Sequence, residues 1–249
     1  MIFPALSSAS GNPEQGPGSP LPRGRADHVV TLAAVALTTD PSGGLYWPEQ
    51  GLLAVADLHL EKGSSFAARG QLLPPYDTAA TLARLGRLVA HYAPRVVIAV
   101  GDSFHDGDGP ARLSREDRDN LHALQRGREW IWLTGNHDPE PAANIGGVFQ
   151  AEFALGALAF RHLPKGADGE IAGHLHPVAR VSHRGRVVSR RCFAADKTRM
   201  VMPAFGAYTG GLNIRDAAFA DVFNTLAFTA HMLGEDRLYA FTAKRCLPG

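Results

Sequence analysis

Five times along the middle of this chain, a short apolar run ends directly in residues that hold metal ions well. LLAVA (52–56) leads into Asp57 and His59, and VVIAV (96–100) into Gly101 and Asp102. WIWLT (130–134) leads into Gly135, Asn136, His137 and Asp138. ALAFR (157–161) leads into His162, and EIA (170–172) into Gly173, His174, Leu175 and His176. Carboxylate, imidazole and amide oxygen together suit Mn, Fe or Zn, whereas an all-oxygen shell suits Mg or Ca. Alternate residues of an extended chain share a face, so Asp57 and His59 point the same way. One carboxylate has two oxygens and can bridge two ions, and Asp102 is the natural choice for that role. Two ions roughly 3.5–4 Å apart lower the pKa of a water between them and clamp an in-line displacement at phosphorus.

Groups at the carboxyl ends of consecutive buried strands converge on one crevice of an open α/β sheet. Strand ends do favour Asp, Asn and Gly for turn chemistry alone, but five ordered coincidences ask for more than that. VVIAV is continuously apolar, as a strand covered on both faces is. VVTLAAVAL (29–37) reads as one further strand. DTAATLARLGRLVAHYA (77–93) reads as a helix: Asp77 is placed to cap it, Leu82, Leu85, Val89 and Tyr92 recur at helical spacing, and Pro94 stops it. Ser114 and Asp117 resemble a capping box for a second helix, which Gly127 is placed to close. VARVSHRGRVVSRR (178–191) reads as a hairpin turning at Gly185. RMVMP (199–203), a glycine-rich loop AFGAYTGG (204–211), a helical stretch and a strand near LYAFTA (238–243) complete the pattern.

The 249 residues, 45% hydrophobic and 20% charged, suit a single α/β domain over residues 27–249. Residues 1–26, rich in Gly, Pro and Ser, read as a disordered extension. No run approaches the roughly 18 apolar residues of a membrane span, and the N-terminus lacks the pattern of a signal peptide. Cys192 and Cys246 have no CxxC spacing and read as buried or inert. A reducing, cytoplasmic setting without a membrane partner is therefore expected. The net charge of +1 recruits no nucleic acid as a whole. Segment 180–199, with Arg180, Arg184, Arg186, Arg190, Arg191, Lys197 and Arg199, is either a phosphate-binding patch or a solvated hairpin face.

In this order, DLH, GD, GNHD, a strand-end His and GHLH resemble the calcineurin-like metallophosphoesterases over about residues 50 to 177. DLHLEKGSSFAARGQLLPPYDT (57–78), GDSFHDG (101–107) and PAFGAYTGG (203–211) are similar to one branch of them, the PdeM-like, ligase-associated DNA damage response endonucleases. The resemblance implies a four-layer α/β/β/α sandwich and metal-dependent hydrolysis of phosphodiesters, DNA included. It implies two divalent ions, most naturally Mn with Fe or Zn as alternatives. One ion would take Asp57, His59, Asp102 and His176; the other would take Asp102, Asn136, His162 and His174. A hydroxide between them is the implied nucleophile. His137 is implied to protonate the leaving oxygen, with Asp138 orienting it. An ATP-dependent DNA ligase and a helicase are implied as functional associates, in DNA repair.

The run GDSFHDG lacks the arginine of the GDxVDRG segment found in protein Ser/Thr phosphatases, which argues against a phosphoprotein substrate. His105 is placed to touch the substrate phosphate instead. Tyr208 in the glycine-rich loop is placed to stack on a base at the pocket rim. Lys62 and Arg69 follow the first motif and either meet phosphate or are solvated. Two rival functions stand beside the endonuclease: a phosphodiesterase acting on small or cyclic nucleotides, and a non-catalytic scaffold that keeps the fold. The complete ligand set and His137 weigh against the scaffold.

Overall fold

A computed structural model describes residues 28–223 and 226–249. The extension expected over residues 1–26 lies outside the described residues. The first sheet contains β1 (His28–Leu32), β2 (Val35–Thr39), β3 (Leu45–Trp47), β4 (Leu52–Ala56), β5 (Val96–Val100), β6 (Glu129–Leu133) and β7 (Val148–Gln150), in that spatial order. Its β1-to-β4 half is antiparallel and its β4-to-β7 half parallel. The second sheet is built from β8 (Glu152–Leu155), β9 (Leu158–Arg161), β10 (Glu170–Ala172), β11 (Pro177–His183), β12 (Arg186–Ala195), β13 (Arg199–Val201), β14 (Leu212–Asn213), β15 (Thr229–Leu233) and β16 (Leu238–Thr242). Its main path runs β14-β11-β12-β13-β10-β9-β8, with β15 joined to β12 and β16 to β15. The helices are α1 (Lys62–Ala68), α2 (Asp77–Tyr92), α3 (Gly109–Arg112), α4 (Arg115–Gln125) and α5 (Ala217–Phe223).

Alternation along the strands builds three cores and therefore four layers. In β4, Leu52, Ala54 and Ala56 face the second sheet and meet Phe160, Ile171, Phe193 and Met200. Leu53 and Val55 face the other way, onto Leu82, Leu85, Leu88 and Val89 of α2 and Leu121 of α4. The far side of the second sheet packs Val181, Ala194 and Val201 against Phe219, Val222 and Phe223 of α5. The expected α/β/β/α layering is compatible with this arrangement, its fourth layer among the described residues being a single short helix. Each fully buried Leu or Phe contributes about 1.5–3 kcal/mol, and covering β4 and β5 on both faces fixes where their carboxyl ends stop.

Most expected elements are present, with two corrections. The run 29–37 is a hairpin, because Ala33 (φ 48°) and Ala34 (φ 67°) form a left-handed two-residue turn between β1 and β2. Asp77 does not cap α2; it is buried, and its Oδ2 accepts from the Gly63 amide at 3.1 Å. Ser114 does cap α4, accepting from the Asp117 amide at 3.0 Å, and Gly127 follows that helix with φ 75°. Among the described residues no helix is long and apolar enough to cross a membrane. Cys192 and Cys246 are free and buried.

Candidate metal centre

The carboxyl ends of β4, β5 and β6 in one sheet face those of β9 and β10 in the other. Past β4 and β5 the chain segments run side by side: the His59 amide donates to the Asp102 carbonyl at 2.9 Å and the Leu60 amide to that of Ser103 at 2.9 Å. Leu58 is buried on the helix side, so Asp57 and His59 are turned together towards the crevice. Asp57 (φ 53°), His59 (φ 43°), Asp102 (φ 43°), His174 (φ 68°) and His176 (φ 45°) all have left-handed backbone. For residues with a Cβ this costs of order 1–3 kcal/mol each, and such strain collects at functional sites. Glycines make the close approaches: a Cβ at Gly101 would lie 2.3 Å from His162 Nδ1, and one at Gly135 would lie 2.1 Å from Asp102 Oδ1.

Two triads that contain a carboxylate result, Asp57–His59–His176 and Asp102–His162–His174, the ligating atoms of each lying within 4.8 Å of one another; a third group, His59–His105–His137, shares His59 with the first. His59 Nε2 and His176 Nε2 approach to 3.3 Å, and His176 Nε2 lies 3.4 Å from Asp57 Oδ1. In the second triad, His162 Nε2 lies 3.3 Å from Asp102 Oδ1 and 2.8 Å from Asn136 Oδ1. His174 Nδ1 is 3.3 Å from His162 Nε2. Asp102 addresses both triads with different oxygens, since its Oδ2 is 3.7 Å from His59 Nε2. The structure thus brings together all seven residues expected to hold metal.

The donor set fits divalent cations. Two imidazole nitrogens meeting tip to tip at 3.3 Å need a proton or a cation between them. Burial lowers His59 to about 3 and also lowers His174, keeping both rings in the neutral form that ligates. Burial opposes ionisation of Asp102, yet the hydrogen bond and charge of His162 bring it down to about 2. Burial likewise opposes protonation of His162, but Asp102 and Asp57 raise it. The two carboxylates thus favour positive charge at this point, as a cation site does.

His137 lies on the solvent side of Asp102. Its amide donates to Asp102 Oδ1 at 2.9 Å, and its ring Nε2 is 3.9 Å from Asp102 Oδ2. Its Nδ1 is 2.8 Å from the His105 carbonyl oxygen. A carbonyl only accepts, so Nδ1 carries the hydrogen and Nε2 is left for the cleft. Asp138 does not orient this ring. It is buried, and its oxygens accept from the amides of Gly135 (3.2 Å) and Phe104 (3.0 Å), because the turn after β6 folds its side chain inward. Burial raises its carboxyl to about 6. The group that orients His137 is a backbone carbonyl, which no residue type in the sequence reveals.

The crevice opens as a cleft of about 470 Å³ whose wall includes Lys62, His105, His137, Gly210 and Gly211. His105 stacks beside His137 with ring centres 5.3 Å apart, and burial and then the charge of Lys62 lower its pKa. Tyr208 is not part of the wall. The loop is tied down before it by the Phe205, Gly206 and Ala207 amides, which donate to Ala56 O, Asp57 O and Thr81 Oγ1, so its two glycines reach the mouth instead. The basic segment 180–199 is also broken up. Arg180 donates to Pro248 O, Arg191 to Ala204 O and Gly206 O, and Arg199 to Asp168 and Gly166 O. Arg184, Arg186, Arg190 and Lys197 remain as its outward charge.

A family model for calcineurin-like phosphoesterases matches residues 52–190. Among solved structures, nuclease MPE from Pseudomonas putida is 28% identical with a TM-score of 0.68, over 86% of this chain and 100% of that one. The phosphoesterase Yfce from E. coli is 12% identical with a TM-score of 0.37, over 77% of this chain and 98% of that one. No curated protein sequence matches.

Proposed function

Because the chain belongs to the calcineurin-like phosphoesterases and is a metal-dependent hydrolase of phosphoester bonds, we propose that it is a two-cation DNA endonuclease. The observation that carries this reading is the pair of facing triads with Asp102 turned to both. One cation would be held by Asp57, His59, Asp102 and His176, and the other by Asp102, Asn136, His162 and His174. Mn suits this mixture of carboxylate, imidazole and amide oxygen, with Fe or Zn as alternatives. When bound, such cations acidify a water and draw charge from the phosphoryl oxygens.

The chain's own residues supply the rest. Asp102 fixes the spacing of the two triads and anchors the turn that carries His137. The His105 carbonyl holds His137 Nδ1–H, so Nε2–H of the protonated ring delivers the proton to the departing oxygen. His105 and Lys62 on the cleft wall meet the phosphate. DNA as substrate is supported by the likeness to a nuclease of similar fold. A repair setting, with an ATP-dependent DNA ligase and a helicase as functional partners, belongs to the same proposal, and co-purification from the native host tests it.

The substrate reading is tested with supercoiled plasmid and a small diester, bis(p-nitrophenyl) phosphate. Wild-type protein with Mn nicks the plasmid and hydrolyses the diester, and Asp102→Ala does neither. Hydrolysis of the diester without nicking would move the substrate to a small or cyclic nucleotide. Failure on both would revive a scaffold.

A further inference from the structure

The two most exposed large hydrophobic side chains among the described residues stand four positions apart on one loop: Leu72 at 89% and Tyr76 at 69% of full exposure. That loop, residues 69–76 (RGQLLPPY), connects α1 to α2 beside the metal centre. α1 begins with Lys62, which lines the cleft, and its Phe66 ring lies 5.6 Å from the ring of His105. Lys62 Nζ sits 5.8 Å from the centre of the same Phe66 ring. The loop therefore starts next to the cleft wall, with the amide of exposed Arg69 bonded to the Phe66 carbonyl.

Hydrogen bonds anchor it at both ends. Thr78 Oγ1 accepts from the Glu61 amide at 2.8 Å and donates to Glu61 Oε1 at 2.9 Å, and Asp77 accepts from the Gly63 amide. The Arg69 and Gln71 amides both donate to the Phe66 carbonyl, at 3.0 and 2.9 Å. Pro74 and Pro75 fix two φ angles in the return arm. A loop held this way keeps its outward side chains in place before anything binds, which lowers the entropic cost of binding. An exposed aromatic and an exposed leucine, beside cations that lead from a phosphate-cleaving site, match an unstacked base and its flanking phosphates.

Resting on the endonuclease reading above, we propose that loop 69–76 is a platform for the substrate strand. Tyr76 and Leu72 receive an unpaired base next to the scissile phosphate, and Arg69 receives the neighbouring phosphate.

The test compares wild type with the double variant Leu72→Ser, Tyr76→Ser on plasmid DNA and on bis(p-nitrophenyl) phosphate, which has no flanking nucleotide. The double variant is expected to lose about tenfold in kcat/KM on DNA and to stay within about twofold on the diester. Arg69→Ala is expected to reduce the salt dependence of binding to a fluorescent single-stranded oligonucleotide by a log–log slope of about 0.7. Unchanged DNA cleavage by the double variant would overturn the platform while leaving the endonuclease standing. An equal loss on both substrates would overturn it too, since the loop would then be supporting the metal centre. A wild type active on the diester but inert on DNA would instead overturn the endonuclease reading, and the platform with it.

Discussion

Asp102 has two oxygens turned to two different triads and a backbone amide, that of His137, bonded to one of them. Its neighbourhood leaves no room for a side chain opposite, because a Cβ at Gly135 would sit 2.1 Å from Asp102 Oδ1. Gly135→Ala is therefore expected to cut turnover as severely as removing a ligand, with reduced bound metal by elemental analysis; normal metal content and turnover would contradict the packing described. His137→Ala should keep its metal content while turnover falls by roughly 10²–10⁴-fold on substrates with a poor leaving group. Metal loss in that variant would make His137 a ligand rather than an acid. Asp138→Ala is expected to cost stability, by about 1–3 kcal/mol for amides left without an acceptor, as read from the urea midpoint. The residues of the two triads could be read from the sequence because their types and their order after apolar runs are unusual. The roles of Asp138 and the His105 carbonyl could not, because a turn decides which way a carboxylate folds, and a carbonyl has no residue type.

The elements that hold this site were largely predictable where hydrophobic pattern dominates. β4 and β5 coincide with the runs LLAVA and VVIAV, and β6 nearly coincides with WIWLT. The hairpin of β1 and β2 was hidden because its turn is built from two alanines, with none of the Asn or Gly that announces such a turn. Ala34→Gly should accordingly raise stability by roughly 1 kcal/mol, seen as a higher melting temperature; no gain would mean the turn is not left-handed in solution. The short strands β3, β7, β8 and β14 leave no mark in the sequence, because two to four residues carry too little periodicity. The arginines of segment 180–199 show the converse: a charge run in sequence says nothing about which members donate inward to carbonyls, as Arg180, Arg191 and Arg199 do.

The candidate metal centre lies across the junction of the two sheets: Asp57, His59, Asp102 and Asn136 follow strands of the first, while His162, His174 and His176 follow strands of the second. Cations bound there link the two halves of the sandwich, so stripping them should lower the melting temperature, and restoring Mn should raise it with concentration. A second global property comes from far outside the cleft. His231 on β15 is lowered to about 4 by burial and then by the charge of His28, whose ring lies 5.3 Å away. The fold thus holds His231 neutral, whereas the unfolded chain takes up a proton near pH 6.5. Its contribution is complete above pH 6.5 and is lost as pH falls from there towards 4, at up to about 1.4 kcal/mol per pH unit. Urea midpoints across this range should fall less steeply for His231→Gln than for wild type, and parallel curves would rule the effect out. The most direct measurement on the whole account is a calorimetric titration of Mn into metal-free protein, counting ions bound per chain. Two ions for the wild type, with loss of binding at both positions in Asp102→Ala, are the expected result. A single ion in the wild type, or two still bound in the variant, would contradict a centre in which Asp102 is shared.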